Sequence, residues 1–235
     1  MDLTSITQPP RTSLAIPPVV GADLLVPLAT GGLIRYANLD HAASAPCLCV
    51  VQDAVNELLP WYASVHRGTG FASQVSSRVY ESARRVLRAF VGAPATDVVV
   101  FTRNTTDALN LLAHSLPESA TVVMFDTEHH AAMLPWRSSG IIRLQTPLSA
   151  GDTVGLLDTA LARAPSGPRL VVLTGASNVT GELWPIGELA AVARRHGARV
   201  VLDAAQLAPH RSIDIAAWQV DYVATSSTHR SVPGR

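Results

Sequence analysis

From residue 97 to residue 226 the chain alternates two kinds of apolar pattern. Short, nearly continuous apolar runs occupy Asp97–Phe101, Ala120–Phe125, Gly140–Leu144, Arg169–Gly175, Ala198–Ala205 and Asp221–Ser226. Unbroken runs of this length predict strands covered on both faces, as in parallel sheets. Between them, apolar positions recur at helical spacing. Val79, Ala83, Val86, Leu87 and Phe90 share one face of a helix that Gly92 ends. Asn104 caps a second helix running from Thr105, and a third opens at Pro185 and stops at Gly197. Strands that alternate with helices predict βαβ units, hence an α/β fold with a mostly parallel sheet and helices on both faces. Pro9, Pro10, Pro17 and Pro18 mark residues 1–30 as an irregular leader, with the domain proper in 31–235.

In such sheets ligands lie beyond the carboxyl ends of the strands, so the residues that follow each strand are the candidate site. Thr105 and Thr106 follow the first, at a helix N-terminus suited to an anion such as phosphate. Ordinary capping by Asn104 is the plainer alternative. His129 and His130 follow the second strand. Adjacent histidines point to different sides, so chelation of one metal is not expected, whereas one imidazole could stack on a planar ring. Asn178 follows the fourth strand, as a hydrogen-bond donor into the cleft or as part of a polar turn. Asp203 ends the fifth. A carboxylate there needs a partner, which a protonated pyridine nitrogen, a helix end or an arginine would each supply. Ser226, Ser227, Thr228 and His229 follow the sixth and again suit a phosphate. Together these groups describe a phosphate, a stacked ring, a ring hydroxyl and a protonated ring nitrogen, the parts of pyridoxal 5'-phosphate (PLP).

Composition sharpens this picture at one point. The chain has 235 residues and formal net charge +0, so nothing steers it towards nucleic acid or acidic lipid. All 18 of its Lys+Arg positions are arginine. Cys47 and Cys49 stand too close for a good structural disulfide and read as free thiols in a reducing compartment. No signal-peptide pattern or bilayer-length apolar run is evident, and the expectation is a cytoplasmic protein. A nucleotide-binding alternative fits poorly, because His66–Gly70 lacks the GxGxxG spacing.

From about Leu39 to His229 the chain resembles the class V aminotransferase family of fold-type I PLP enzymes, and within it the cysteine desulfurase and selenocysteine lyase branch. The resemblance rests on "LDHAASAP", "VHRG", "NTTDALN", "EHHA", "SNVTG" and "LDAAQ", in that order. It implies that Thr105, Thr106, Ser227 and His229 hold the cofactor phosphate. His129 would stack on the ring, Asn178 and Gln206 would bond the region of its 3-hydroxyl, and Asp203 would pair with its nitrogen. It also implies an amino-acid substrate and a homodimer, with no nucleic acid, membrane or metal partner.

Two departures stand out. Ala132 replaces an asparagine that usually follows the histidine pair. More seriously, Arg230 stands where the family has the lysine that bonds PLP covalently. Arginine stays protonated and is no nucleophile, and no other lysine exists to replace it. The family continues with the rest of the large domain and a C-terminal domain. The expectation is therefore an incomplete large domain, truncated and catalytically inactive. The alternative is a non-catalytic binding or scaffold protein of the same fold. A family strand that would lie between the first and sixth runs comes after Arg230, so Asp97–Phe101 is expected to be a poorly paired edge.

Overall fold

Five of the six apolar runs become strands of one sheet, within one or two residues of the predicted bounds. The structure, a computed structural model, describes residues 17–41, 44–136 and 140–226. The chain forms two compact units, Met1–Leu39 with Pro46–Pro60, and Asp40–Ala45 with Trp61–Arg235.

In the first unit, β1 (Leu25–Pro27) and β2 (Leu33–Arg35) form an antiparallel hairpin with Val26 opposite Ile34. Helix α1 spans Cys49–Leu58. The expectation of an irregular run to residue 30 is thus corrected at Leu25–Pro27. The prolines outweighed a hairpin signal, two apolar triplets on either side of a turn that holds Gly31 and Gly32. Both glycines have φ +88, a conformation that side chains disfavour. Cys47 is exposed, Cys49 half-buried, and both are free thiols, as expected.

In the second unit, α2 (Phe71–Phe90) and α3 (Thr105–Ser115) precede the sheet. Then follow β3 (Thr121–Phe125), α4 (His130–Met133), β4 (Gly140–Leu144) and α5 (Asp152–Arg163). The unit continues with β5 (Arg169–Thr174), α6 (Ile186–Arg195), β6 (Arg199–Asp203), α7 (Ile215–Trp218) and β7 (Tyr222–Ala224). The sheet order is β4-β3-β5-β6-β7, with every pair parallel. Alternate side chains face opposite ways. Val123, Phe125, Val171, Leu173, Val200 and Leu202 pack with α5, α6 and α7. Val122, Met124, Leu170, Val172, Val201 and Ala224 pack with Leu109 of α3 and Ala132 of α4. Helices therefore cover both faces, as the apolar runs predict.

The first run, Asp97–Phe101, was expected to be a poorly paired edge strand, and it goes further by pairing with no described strand. Residues 97–101 have no regular secondary structure and join no ladder among the described residues. Their apolar pattern is strand-like, yet a strand exists through a hydrogen-bonding neighbour, and α2 takes that place in part. Arg84 donates to the Val99 carbonyl, and Arg88 Nε donates to the Asp97 carbonyl at 3.0 Å. Val98 and Val100 are left 80% and 58% exposed.

Candidate functional site

Helix α3 lies against α4 and β7, and its Leu109 packs with Met124, Val172 and Val201 of β3, β5 and β6. Asn104 caps α3 through its side chain, which accepts from the Asp107 amide at 2.8 Å. The capping reading is therefore correct, but it uses Asn104 alone. Thr105 is 7% exposed, and its hydroxyl is buried without a hydrogen-bond partner. A buried hydroxyl of that kind is costly unless a ligand satisfies it. Thr106 is exposed beside it, and its carbonyl accepts from Asn110 Nδ2 at 2.8 Å. Asp107, in the same first turn, is bonded by Arg103 Nε at 2.5 Å and Nη2 at 3.1 Å. That bond holds the Asp107 carboxyl below its usual range. Thr225, just past β7, has a second buried hydroxyl without a partner.

The turn between β3 and α4 carries the histidines. Asp126 Oδ1 accepts from the Thr146 amide at 3.0 Å and hydroxyl at 2.7 Å, which keeps its carboxyl below the usual range. His129 is exposed and caps α4, its Nδ1 accepting from the Ala131 amide at 3.1 Å. That acceptor role leaves the ring proton on Nε2 in the neutral imidazole. Ala132 is fully buried, and its carbonyl accepts from the Trp136 indole at 2.6 Å. A larger polar side chain at 132 would enter the packed layer that holds Leu109 and Trp136.

Asp203, at the end of β6, is 6% exposed, and its Oδ1 accepts from the Ala205 amide at 3.0 Å. By strand alternation it shares a face with Val201, the face that α3 covers. Asn178 and Gln206 line one cleft of about 310 Å³ together with Ser177, Gly181, His210 and Arg211. A turn closed by Ser177 presents Asn178. Ser177 Oγ accepts from the Val179 and Thr180 amides at 3.2 and 3.1 Å, and Gly181 adopts φ +71. Ser227, His229 and Arg230 lie outside the described residues.

Sequence reading missed Glu128. It is 4% exposed, and its Oε1 accepts from the Thr174 amide at 3.1 Å while Oε2 bonds the Thr174 hydroxyl. Burial pushes its carboxyl up to about 8, against the lowering effect of Thr174, and the nearby Asp203 pushes the same way. Among the described residues no group of His, Cys, Asp and Glu could hold a metal, and no helix is long and apolar enough to cross a membrane.

The family model for aminotransferase class-V matches residues 37–232. The chain belongs to that family. A probable cysteine desulfurase from Halalkalibacterium halodurans is 33% identical over 205 residues, 83% of this chain and 50% of the relative. The chain thus spans about half the length of the curated relatives it matches. A cysteine desulfurase structure from Thermococcus onnurineus NA1 aligns with TM-score 0.70 and 29% identity, over 80% of this chain and 49% of that one. Serine palmitoyltransferase from S. paucimobilis, solved with a PLP–myriocin aldimine bound, aligns with TM-score 0.57 at 23% identity, over 75% and 45% of the two chains, a likeness of fold alone. The class V fold is that of the large domain of fold-type I PLP enzymes, with a parallel sheet and helices on both faces.

Proposed function

We propose that this chain binds PLP as the large domain of a cysteine desulfurase-like class V protein, and that it does so without a covalent bond to a lysine. The observation that carries the reading is the buried, partnerless hydroxyl of Thr105, at the start of α3 and on the sheet face that holds Asp203. A phosphate suits the first end of that arrangement. A protonated ring nitrogen suits the second, because a buried carboxylate is stabilised by an opposite charge.

Thr105 and Thr106 hold the phosphate, with Ser227 and His229 as further donors. His129 covers one face of the ring. Asn178 and Gln206 bond the 3-hydroxyl side, and Asp203 keeps the ring nitrogen protonated. Bound PLP supplies an electron-withdrawing ring that stabilises negative charge at the α-carbon of an amino acid. With Arg230 at the lysine position, the chain has no side-chain amine to bond the cofactor or to move a proton at that carbon. It is therefore a binding rather than a catalytic form. A full-length relative would take an amino acid such as cysteine, act as a homodimer and work in the cytoplasm.

The test is PLP binding followed by borohydride reduction and peptide mass spectrometry. We expect reversible PLP binding, no reduced adduct on an internal side chain, and no sulfide release from cysteine. Arg230→Lys should place a reduced adduct at residue 230. An internal adduct in the unmodified chain, or sustained sulfide release by it, overturns the reading.

A further inference from the structure

Glu128 and Asp203 are two buried carboxyl groups at the same end of the sheet. Thr174 connects them. It ends β5 and is the register partner of Asp203 on β6. It also bonds Glu128 through both its amide and its hydroxyl. The segment so fastened is the turn that presents His129. We propose that Glu128 is a positioning residue, a neutral acid clamped by Thr174 that fixes the His129 turn and leaves Asp203 as the ionised carboxylate of the site. The ligand half of this inference rests on the PLP reading, whereas the clamp does not.

Burial and a second carboxyl nearby favour the neutral form. The Thr174 amide donates to Oε1 and its hydroxyl to Oε2, two bonds that alone would favour the charged form, and burial outweighs them. An ionised Glu128 would sit buried beside a second carboxylate, and the two would repel. Burial accordingly raises its carboxyl to about 8, with Asp203 contributing to the rise. The groups set against Glu128 are Thr174 from β5 and Asp203 from β6, with Asp126, His129 and His130 on its own turn. Two ionised carboxylates would compete for the single positive charge of a ring nitrogen. One neutral acid removes that competition and keeps the turn closed.

The sign of the pH effect follows from the direction of the shift. Folded Glu128 keeps its proton to about 8, whereas the unfolded chain releases it near the usual value of 4.5. Between those values the unfolded state binds fewer protons, so this group's contribution to stability falls as pH rises and levels off above the upper one. Glutamine mimics the neutral acid in shape and hydrogen bonding but does not titrate.

The experiment compares the full chain with Glu128→Gln and Glu128→Ala. Urea midpoints of the PLP-free proteins are followed by tryptophan fluorescence from about pH 5 to about pH 9. Equilibrium dialysis gives PLP affinity at about pH 7 and about pH 9. We expect the midpoint of Glu128→Gln to exceed that of the unmodified chain by a margin that grows up to about pH 8 and then holds. Between the two dialysis conditions the unmodified chain should lose about tenfold more PLP affinity than Glu128→Gln. Glu128→Ala should bind PLP more weakly at both. If none of the proteins binds PLP, the ligand reading fails, and the urea profiles still decide the clamp. Parallel urea profiles for the unmodified chain and Glu128→Gln overturn it, even if Glu128→Ala fails to fold.

Discussion

Thr174 bonds Glu128 across 46 positions of sequence and lies in register with Asp203 on the neighbouring strand. One threonine thus sets a buried acid and a buried carboxylate side by side. Thr174→Val keeps the shape and removes the hydroxyl. The amide bond at 3.1 Å would remain, but one Glu128 oxygen would lose its partner. Leaving such a group unsatisfied costs about 1–3 kcal/mol. Urea unfolding at neutral pH should show a loss in that range, and Thr174→Ser should recover most of it. Equal stability of Thr174→Val and the unmodified chain would mean that the hydroxyl contributes nothing.

Thr105 makes the opposite case. Its hydroxyl is buried with no protein partner, so the folded chain alone gains nothing from it. Thr105→Val should leave stability unchanged or raise it by up to about 1 kcal/mol. Affinity for PLP should fall about tenfold, the scale of one hydrogen bond to a charged group. Inorganic phosphate should compete with PLP in the unmodified chain and compete less well in the variant. If Thr105→Val destabilises the fold and leaves PLP affinity intact, the hydroxyl serves packing and not the ligand.

The contrast between these two threonines shows what was legible in the sequence. Thr105, Asp203 and Asn178 follow apolar runs directly, and the topology of a parallel sheet marks such positions. Five runs were readable as strands because continuous Val, Leu and Ile carry their own signal. Glu128 was not singled out, because its burial depends on Thr174, a contact that no local pattern encodes. Residues 97–101 were read as a strand with poor pairing; the poor pairing holds and the strand does not, for a related reason. Their side chains suit a strand, but pairing is a property of the neighbour. The hairpin at Leu25–Arg35 was hidden by the prolines before it, and α5 had no strong cap to announce it.

Asp158 gives an acid-side prediction. His196 Nε2 and Arg195 Nη2 lie 2.9 and 3.1 Å from its Oδ1, tying α5 to the end of α6. These bonds, that of His196 first, hold the Asp158 carboxyl below its usual value of 3.8. A lowered carboxyl stabilises the fold above its unfolded value, and the benefit is lost as pH falls through the folded one. The pair is solvent-exposed, so the effect is small. Asp158→Asn should lower the urea midpoint slightly at about pH 6, with the difference fading below about pH 4. A difference that grows on acidification would contradict this account.

The last prediction concerns residues 97–101. Their backbone is tied to α2 through Arg84 and Arg88, yet it joins no ladder among the described residues. Backbone groups without a ladder exchange readily, so the Val98 and Val100 amides should exchange much faster than those of Val122 to Met124 in the fully buried β3. An exposed apolar segment with unpaired backbone is also a template for pairing between chains. Val98 is 80% exposed, so a charge there meets water and perturbs little packing. Val98→Glu should therefore leave the urea midpoint nearly unchanged while reducing self-association in sedimentation velocity runs. Arg84→Ala should act the other way, because it frees the Val99 carbonyl and loosens the segment from α2. Slow exchange at Val98 and Val100 in a monomer would mean that these residues find a ladder partner in solution.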